Sequence, residues 1–137
     1  MEVLIRQARK VDCRTLIKIW KSAGFFYAPW DNEAQLVKKM DLQPSLILVA
    51  ETNAQVIGGV IGTYDGWGAY INHLAVDSEF KAKGVDILLL RHIERRLKTL
   101  GVTKVFVFTM PGHEENVLYS KSGYSEWGLS MGLEKDI

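Results

Sequence analysis

Residues 84–100 place the tightest limit on what this chain can fold into. Val85, Leu89, Ile93, Leu97 and Leu100 fall on one helical stripe, widened by Leu90, while Arg91, Glu94, Arg95 and Lys98 occupy the opposite side. The helix this spacing predicts lies between two strand-like runs, residues 69–76 and 105–109. The second run alternates Val with Phe, so both of its faces are expected to be buried. A strand, a crossover helix and a second strand in one sheet require a right-handed parallel connection.

Upstream the apolar period is that of strands. Residues 46–50, 56–64 and 69–76 are separated only by Asn53-Ala54 and by Asp65-Gly66-Trp67-Gly68, which predicts an antiparallel meander. The pair Gly58-Gly59 inside the middle strand allows a bulge or a close backbone approach. A short strand is expected over residues 2–8. Asp12 can cap a helix carrying Leu16, Ile17, Ile19 and Trp20 and ended by Gly24. An aromatic connector follows, including Phe25, Phe26, Tyr27 and Trp30. Asp31 or Asn32 then caps a second helix through Leu36, Val37 and Met40, with Pro44 closing that region. Residues 114–121 read as a short helix ended at Gly123, and residues 124–133 as a last strand. The expected order is β-α-α-β-β-β-α-β-α-β: an α/β (α+β) fold whose mixed sheet is antiparallel in its first half and parallel in its second. No repeat or linker divides residues 1–137, so a single domain is expected.

Seventeen Lys and Arg against sixteen Asp and Glu leave a net charge of +1, so nothing global draws the chain to nucleic acid or to membrane. Any anion site must be local. The single cysteine, Cys13, excludes an internal disulfide and reads as a small buried hydrophobe. The first residues show no basic segment leading into an apolar stretch, and no run approaches the roughly 18 apolar residues of a membrane span. A cytoplasmic protein is the expectation. The three histidines, His73, His92 and His113, lack the close spacing of a zinc site, and no metal is expected.

The segment from His73 to Asp86 carries the chemistry. A buried strand runs into a short basic loop that opens the long helix at Gly84, with Lys81 and Lys83 beside the exposed first-turn amides. Such amides bind anions, and a phosphorylated ligand is the natural guest. Lys81-Ala82-Lys83-Gly84-Val85-Asp86 resembles the Arg/Gln-x-x-Gly-x-Gly/Ala loop of the GNAT acyltransferase superfamily. Residues 116–124, Asn-Val-Leu-Tyr-Ser-Lys-Ser-Gly-Tyr, resemble the same superfamily's Asn-x-x-Ala-x-x-Leu/Phe-Tyr-x-x-x-Gly-Phe/Tyr pattern. Pro29-Trp30-Asp31 with Lys39-Met40 is similar to small bacterial members. The element order above matches that fold from first strand to last.

The resemblance implies acetyl-CoA as co-substrate. The turn from Lys81 to Asp86 would hold the pyrophosphate, and the backbone of Leu74, Ala75 and Val76 the pantetheine arm and thioester carbonyl. Asn116 would contact the cofactor's amides, its other reading being a helix-surface polar residue. Tyr119 matches the tyrosine that protonates the departing thiolate; it could equally be a core tyrosine on the sheet. His73 sits beside the expected cleft with a side chain suited to proton transfer, or is simply hydrogen-bonded structure. Asp31, Glu33 and Tyr64 are further candidates for the base. Tyr27, Trp30, Asp31 and Tyr64 would line the acceptor side, where a small-molecule or peptide amine is expected, on a monomer or homodimer. Asp86 stands where the superfamily has Gly or Ala. The helix dipole favours it by about 0.3–1 kcal/mol, while its carboxylate competes for the potential a pyrophosphate would use. The activity implied is N-acetyl transfer to a primary amine. The alternative is a catalytically inactive binding or regulatory protein of this fold, which coenzyme A would bind weakly or not at all.

Overall fold

The computed structural model describes residues 1–25, 27–42, 45–128 and 132–137. The expectations for Phe26, Pro44 and positions 129–131 of the last strand therefore lie outside the described residues. Four apolar runs pair in chain order as one antiparallel sheet: β1 Leu4–Gln7, β2 Ile47–Thr52, β3 Gln55–Tyr64 and β4 Ala69–Val76.

Alternation along these strands supplies two buried faces. On one, Ile47, Val49, Ile61 and Ala75 meet α1 (Cys13–Ser22) and α2 (Glu33–Asp41) through Leu16, Ile19, Trp20, Leu36 and Met40. On the other, Leu48, Ile57, Val60 and Ile71 meet the stripe of α3 (Val85–Thr99), with Tyr119 of α4 (Glu115–Lys121) added at its end. Leu100 follows the last helical residue and is exposed rather than continuing the stripe. Cys13 is buried with its Sγ 4.0 Å from Met40 Sδ.

The glycine pair of β3 serves close approach. A Cβ on Gly58 would stand 2.9 Å from the Ala75 carbonyl oxygen and 3.2 Å from Leu89 Cδ1, and one on Gly59 would overlap the fully buried Leu16 side chain. Gly59→Val should therefore overpack the α1 face and cost about 1–3 kcal/mol. Thermal unfolding checks this, and an unchanged Tm would show that Leu16 yields freely.

Asp12 was expected to cap α1, but its side chain makes no cap bond. Arg6 donates to both its oxygens, at 2.8 and 3.1 Å, and the Arg9 amide donates at 2.7 Å. Burial raises the Asp12 carboxyl, and these donors outweigh it and bring the group below its ordinary value. Asn32 caps α2, accepting from Gln35 N at 3.0 Å, which leaves Asp31 to other partners.

The second half of the sheet departs from the expectation. The crossover does return parallel to β4, at a single bridge between Tyr70 and Phe106. Ile71 N donates to Phe106 O and Phe106 N to Ala69 O, each at 3.0 Å, and no full strand forms over residues 105–109. The cause is in β4. Three residues of β3, from Gly59 to Ile61, oppose four of β4, from Ala75 to Asn72. The extra residue is a bulge, which bends and twists its strand. His73 lies in it with φ +53°, a left-handed conformation unusual outside glycine. β4 thus turns away just where the parallel ladder would continue. The expected last strand is also absent among the described residues 124–128 and 132–137. After its one bridge, the preceding segment offers no continuous edge for it to pair with. Trp127 instead stands edge-on to Phe106, 5.4 Å between ring centroids.

Candidate active site

The bulge in β4 leaves the strand from Leu74 to Val76 paired with β3 on one side only, among the described residues. Leu74 sends its side chain to the α3 core and Ala75 to the α1 core, so an open backbone edge lies between the two faces. A ligand arm laid there would meet peptide groups rather than side chains.

Beyond β4, Asp77 accepts the Glu79 amide at 3.0 Å and starts a short 3-10 turn, Ser78–Phe80. The loop then takes left-handed conformations at Ala82 (φ +64°) and Gly84 (φ +77°) before α3 begins. The Gly84, Val85 and Asp86 amides have no hydrogen-bond partner among the described residues, and no side chain caps the helix. Free amides in a turn of this kind, with Lys81 and Lys83 exposed beside them, fit the pyrophosphate of coenzyme A.

Asp86 is turned back on its own helix, its Oδ1 accepting the Ile87 amide at 2.8 Å. Its carboxylate remains in the first turn of α3 and there opposes a second anion by charge alone. Asp86→Ala should tighten coenzyme A binding several-fold at low salt and less at high salt. Titration calorimetry at two ionic strengths checks this, and equal affinities of variant and wild type would put the carboxylate out of reach. Lys81 Nζ is 3.2 Å from Glu114 Oε1, an exposed ion pair joining this loop to the start of α4.

His73 is the centre of a second arrangement. Its Nε2 lies 3.1 and 3.0 Å from Asp31 Oδ1 and Oδ2. Asp31 is buried and also accepts the Tyr27 amide at 2.7 Å, so the 27–31 turn clamps the carboxylate in place. Trp20 meets the imidazole edge-on at 5.2 Å, and Phe25 lies across it at 5.9 Å. A carboxylate at Nε2 selects the tautomer protonated there, which leaves the lone pair on Nδ1. Nδ1 has no protein partner among the described residues.

On α4, Tyr119 is buried in the α3-side core with its ring edge-on to Tyr124 at 5.3 Å. Its hydroxyl has no hydrogen-bond partner among the described residues, yet it is not among the polar atoms sealed from solvent. Burial, then the charge of Glu115, push the phenol well above its ordinary value. Asn116, expected at the cofactor, donates through Nδ2 to the Met110 carbonyl at 2.9 Å and secures the loop before α4. His113 receives the Glu115 amide on Nδ1 at 3.4 Å.

Of the expected acceptor-side residues, Asp31 is joined to His73, while the rings of Tyr27 and Trp30, nearby in sequence, meet at a tilt of 48° with centroids 4.3 Å apart. Tyr27 Oη donates to Glu134 Oε2 at 2.8 Å, which ties the C-terminal residues to the connector. Tyr64 packs against the α3-side core and makes no hydrogen bond or ring contact with the His73–Asp31 pair. Glu33, another candidate base, pairs instead with Arg14 at 2.6 Å. Glu115 escaped the sequence reading. Its signal was its position four residues before Tyr119, which places both on one face of α4.

Among the described residues, a bulged strand with an open edge, ending in a loop of unpartnered amides at a helix start, has the shape that suits a phosphorylated, extended acyl carrier. The profile of the acetyltransferase (GNAT) family matches residues 13–124, and the chain belongs to that family, whose co-substrate is acetyl-CoA and whose acceptors are small molecules or peptides. Its fold is shared with solved structures of low sequence identity. Glucosamine-6-phosphate N-acetyltransferase from Arabidopsis thaliana superposes with a TM-score of 0.75 at 19% identity, over 99% of this chain and 100% of that one. PaiA N-acetyltransferase from Thermoplasma acidophilum, solved with coenzyme A, gives 0.78 at 20% identity, covering 91% of each chain. The ribosomal-protein-S18-alanine N-acetyltransferase of Escherichia coli gives 0.78 at 19%, over 93% of this chain and 80% of that one.

Proposed function

We propose that this protein transfers the acetyl group of acetyl-CoA directly to a primary amine, with His73 as base and Tyr119 as the donor to the leaving sulfur. The observation that carries this reading is the His73–Asp31 pair seated in the β4 bulge, beside the open strand edge. Acetyl-CoA supplies an activated acyl carbon with a thiol leaving group. Loop amides at Gly84, Val85 and Asp86, with Lys81 and Lys83, hold its phosphates, and the edge from Leu74 to Val76 aligns the acyl arm.

The chain's own groups then manage protons. Nδ1 of His73 takes one proton from the acceptor's ammonium, and Asp31 stabilises the imidazolium at Nε2. The neutral nitrogen forms its bond to the acyl carbon as the carbon–sulfur bond breaks. A backbone amide on the open edge of β4 faces the oxygen that gains charge. The Tyr119 hydroxyl donates to the departing sulfur and recovers a proton from the newly acylated nitrogen. One proton, held by His73, is finally released to solvent.

The test is coenzyme A release from acetyl-CoA with a panel of primary and secondary amines, followed by mass analysis of the acceptor. Primary amines are expected to gain one acetyl group and secondary amines none. Saturable coenzyme A binding without turnover on any amine would overturn the transferase reading in favour of a binding protein of this fold.

A further inference from the structure

We propose that Glu115 docks the acceptor as an alkylammonium ion, and so selects acceptors that arrive positively charged over neutral amines. The inference rests on the transferase reading above and adds the chemistry of the acceptor to it. The Glu115 side chain is only 16% exposed. Its carboxylate has no hydrogen bond among the described residues, and the nearest basic atom is His113 Nδ1 at 3.7 Å from Oε1. That nitrogen is turned to the Glu115 amide at 3.4 Å, so in the neutral ring it offers a lone pair and no proton. A carboxylate kept from water without a donor is costly, and a ligand's N–H groups would relieve it.

Position supports the same conclusion. The Phe25 ring lies between two imidazoles, 5.9 Å from His73 and 5.8 Å from His113. Each imidazole has its own carboxylate, Asp31 and Glu115. Asp31 is committed to His73 and to the Tyr27 amide, whereas Glu115 accepts no hydrogen bond among the described residues and has only the 3.7 Å approach of His113 Nδ1. Glu115 is also near enough to feel the charge of His73 and to act on Tyr119. On α4 it shares a face with Tyr119, one turn on, and through His113 and the Phe25 ring it adjoins His73, so an acceptor nitrogen passing between the proposed base and the proposed donor comes within its reach. An ammonium held there is brought to His73 with its proton still attached.

The charged groups around Glu115 are His113, Glu114 and His73. Burial, followed by the Glu114 charge, raises the Glu115 carboxyl, and His113 and His73 oppose this without cancelling it. A carboxyl raised on folding binds its proton more tightly folded than unfolded. Its cost to stability is thus absent in acid and appears as pH rises through the ordinary carboxylate range.

Butylammonium is the probe, titrated into the full-length protein and followed through the imidazole proton resonances of His73 and His113. Wild type is expected to saturate, Glu115→Gln to bind at least tenfold more weakly, and Glu115→Asp to lie between them. Glu126→Gln, an exposed control, should match wild type. Aniline, uncharged at neutral pH, should show no dependence on residue 115. Glu115→Gln should also melt higher than wild type at pH 7 and equal to it below pH 4. No saturable butylammonium binding, equal binding by the Gln variant, or a lower Tm of that variant at pH 7 would overturn the proposal. Acetyl-CoA consumption is measured in parallel. A protein that binds butylammonium through Glu115 yet consumes no thioester sinks the transferase reading alone, and one that acetylates butylamine with the same KM in wild type and Glu115→Gln sinks only the docking role.

Discussion

His73→Asn is expected to lower kcat by about 10²–10⁴-fold, the range typical of losing a positioned general base. Asparagine is the informative replacement. Residue 73 holds φ +53° in the bulge, a conformation asparagine tolerates well and alanine poorly. The amide keeps the strand geometry and can still donate to Asp31, while the imidazole lone pair is lost. Asp31→Asn should cost less, on the order of 10-fold or more in kcat, because the ring remains but its Nε2–H tautomer is no longer enforced. The double variant should be little worse than His73→Asn alone, since Asp31 acts through the imidazole. Steady-state kinetics with acetyl-CoA and any accepted primary amine measure all three. An unchanged kcat in His73→Asn would assign proton removal elsewhere and reduce the His73–Asp31 pair to a support for the bulge.

Much of this arrangement was legible in residue order, and the remainder was not for definite reasons. The amphipathic stripe of α3 and the three meander strands repeat with clear periods, and the two glycines of β3 announced a tight or bulged sheet centre. The sequence could not show on which strand the extra residue falls. Against β2 the extra residue is on β3 itself, between Val56 and Gly58, while against β4 it is carried by β4 at His73, where the register loses a step between Gly59 and Ile61. That one step explains why residues 105–109 touch β4 at a single bridge, although Val and Phe alternate as they would in a buried strand. Local pattern records propensity; pairing depends on whether the neighbouring strand stays in reach. Asp31 was legible as a helix cap or an acceptor-side carboxylate. Its bond to His73, 42 positions away, follows from Asn32 taking the cap and is tertiary information. Glu115 was missed because nothing in its local sequence distinguishes it from an exposed helix acid until the fold encloses it.

Tyr119→Phe is expected to lower kcat on the order of 10²-fold while leaving coenzyme A affinity nearly unchanged. The reason is not that the phenol is an easily ionised acid. Burial and the neighbouring Glu115 charge raise it far above a thiol's ordinary value, so it stays neutral throughout. A neutral hydroxyl with no partner among the described residues can donate to sulfur as negative charge develops there. Its benefit falls on the transition state and little on the bound thioester, which separates kcat from KM. Leaving-group dependence tests this directly. If the hydroxyl stabilises the departing sulfur, thioesters of more acidic thiols should lose less rate in Tyr119→Phe than acetyl-CoA does. An equal loss for all thioesters would place Tyr119 in the packing of α4 rather than in the chemistry. The ring keeps its contact with Tyr124 in the Phe variant, so a large fall in Tm is not expected and would itself point to that structural role.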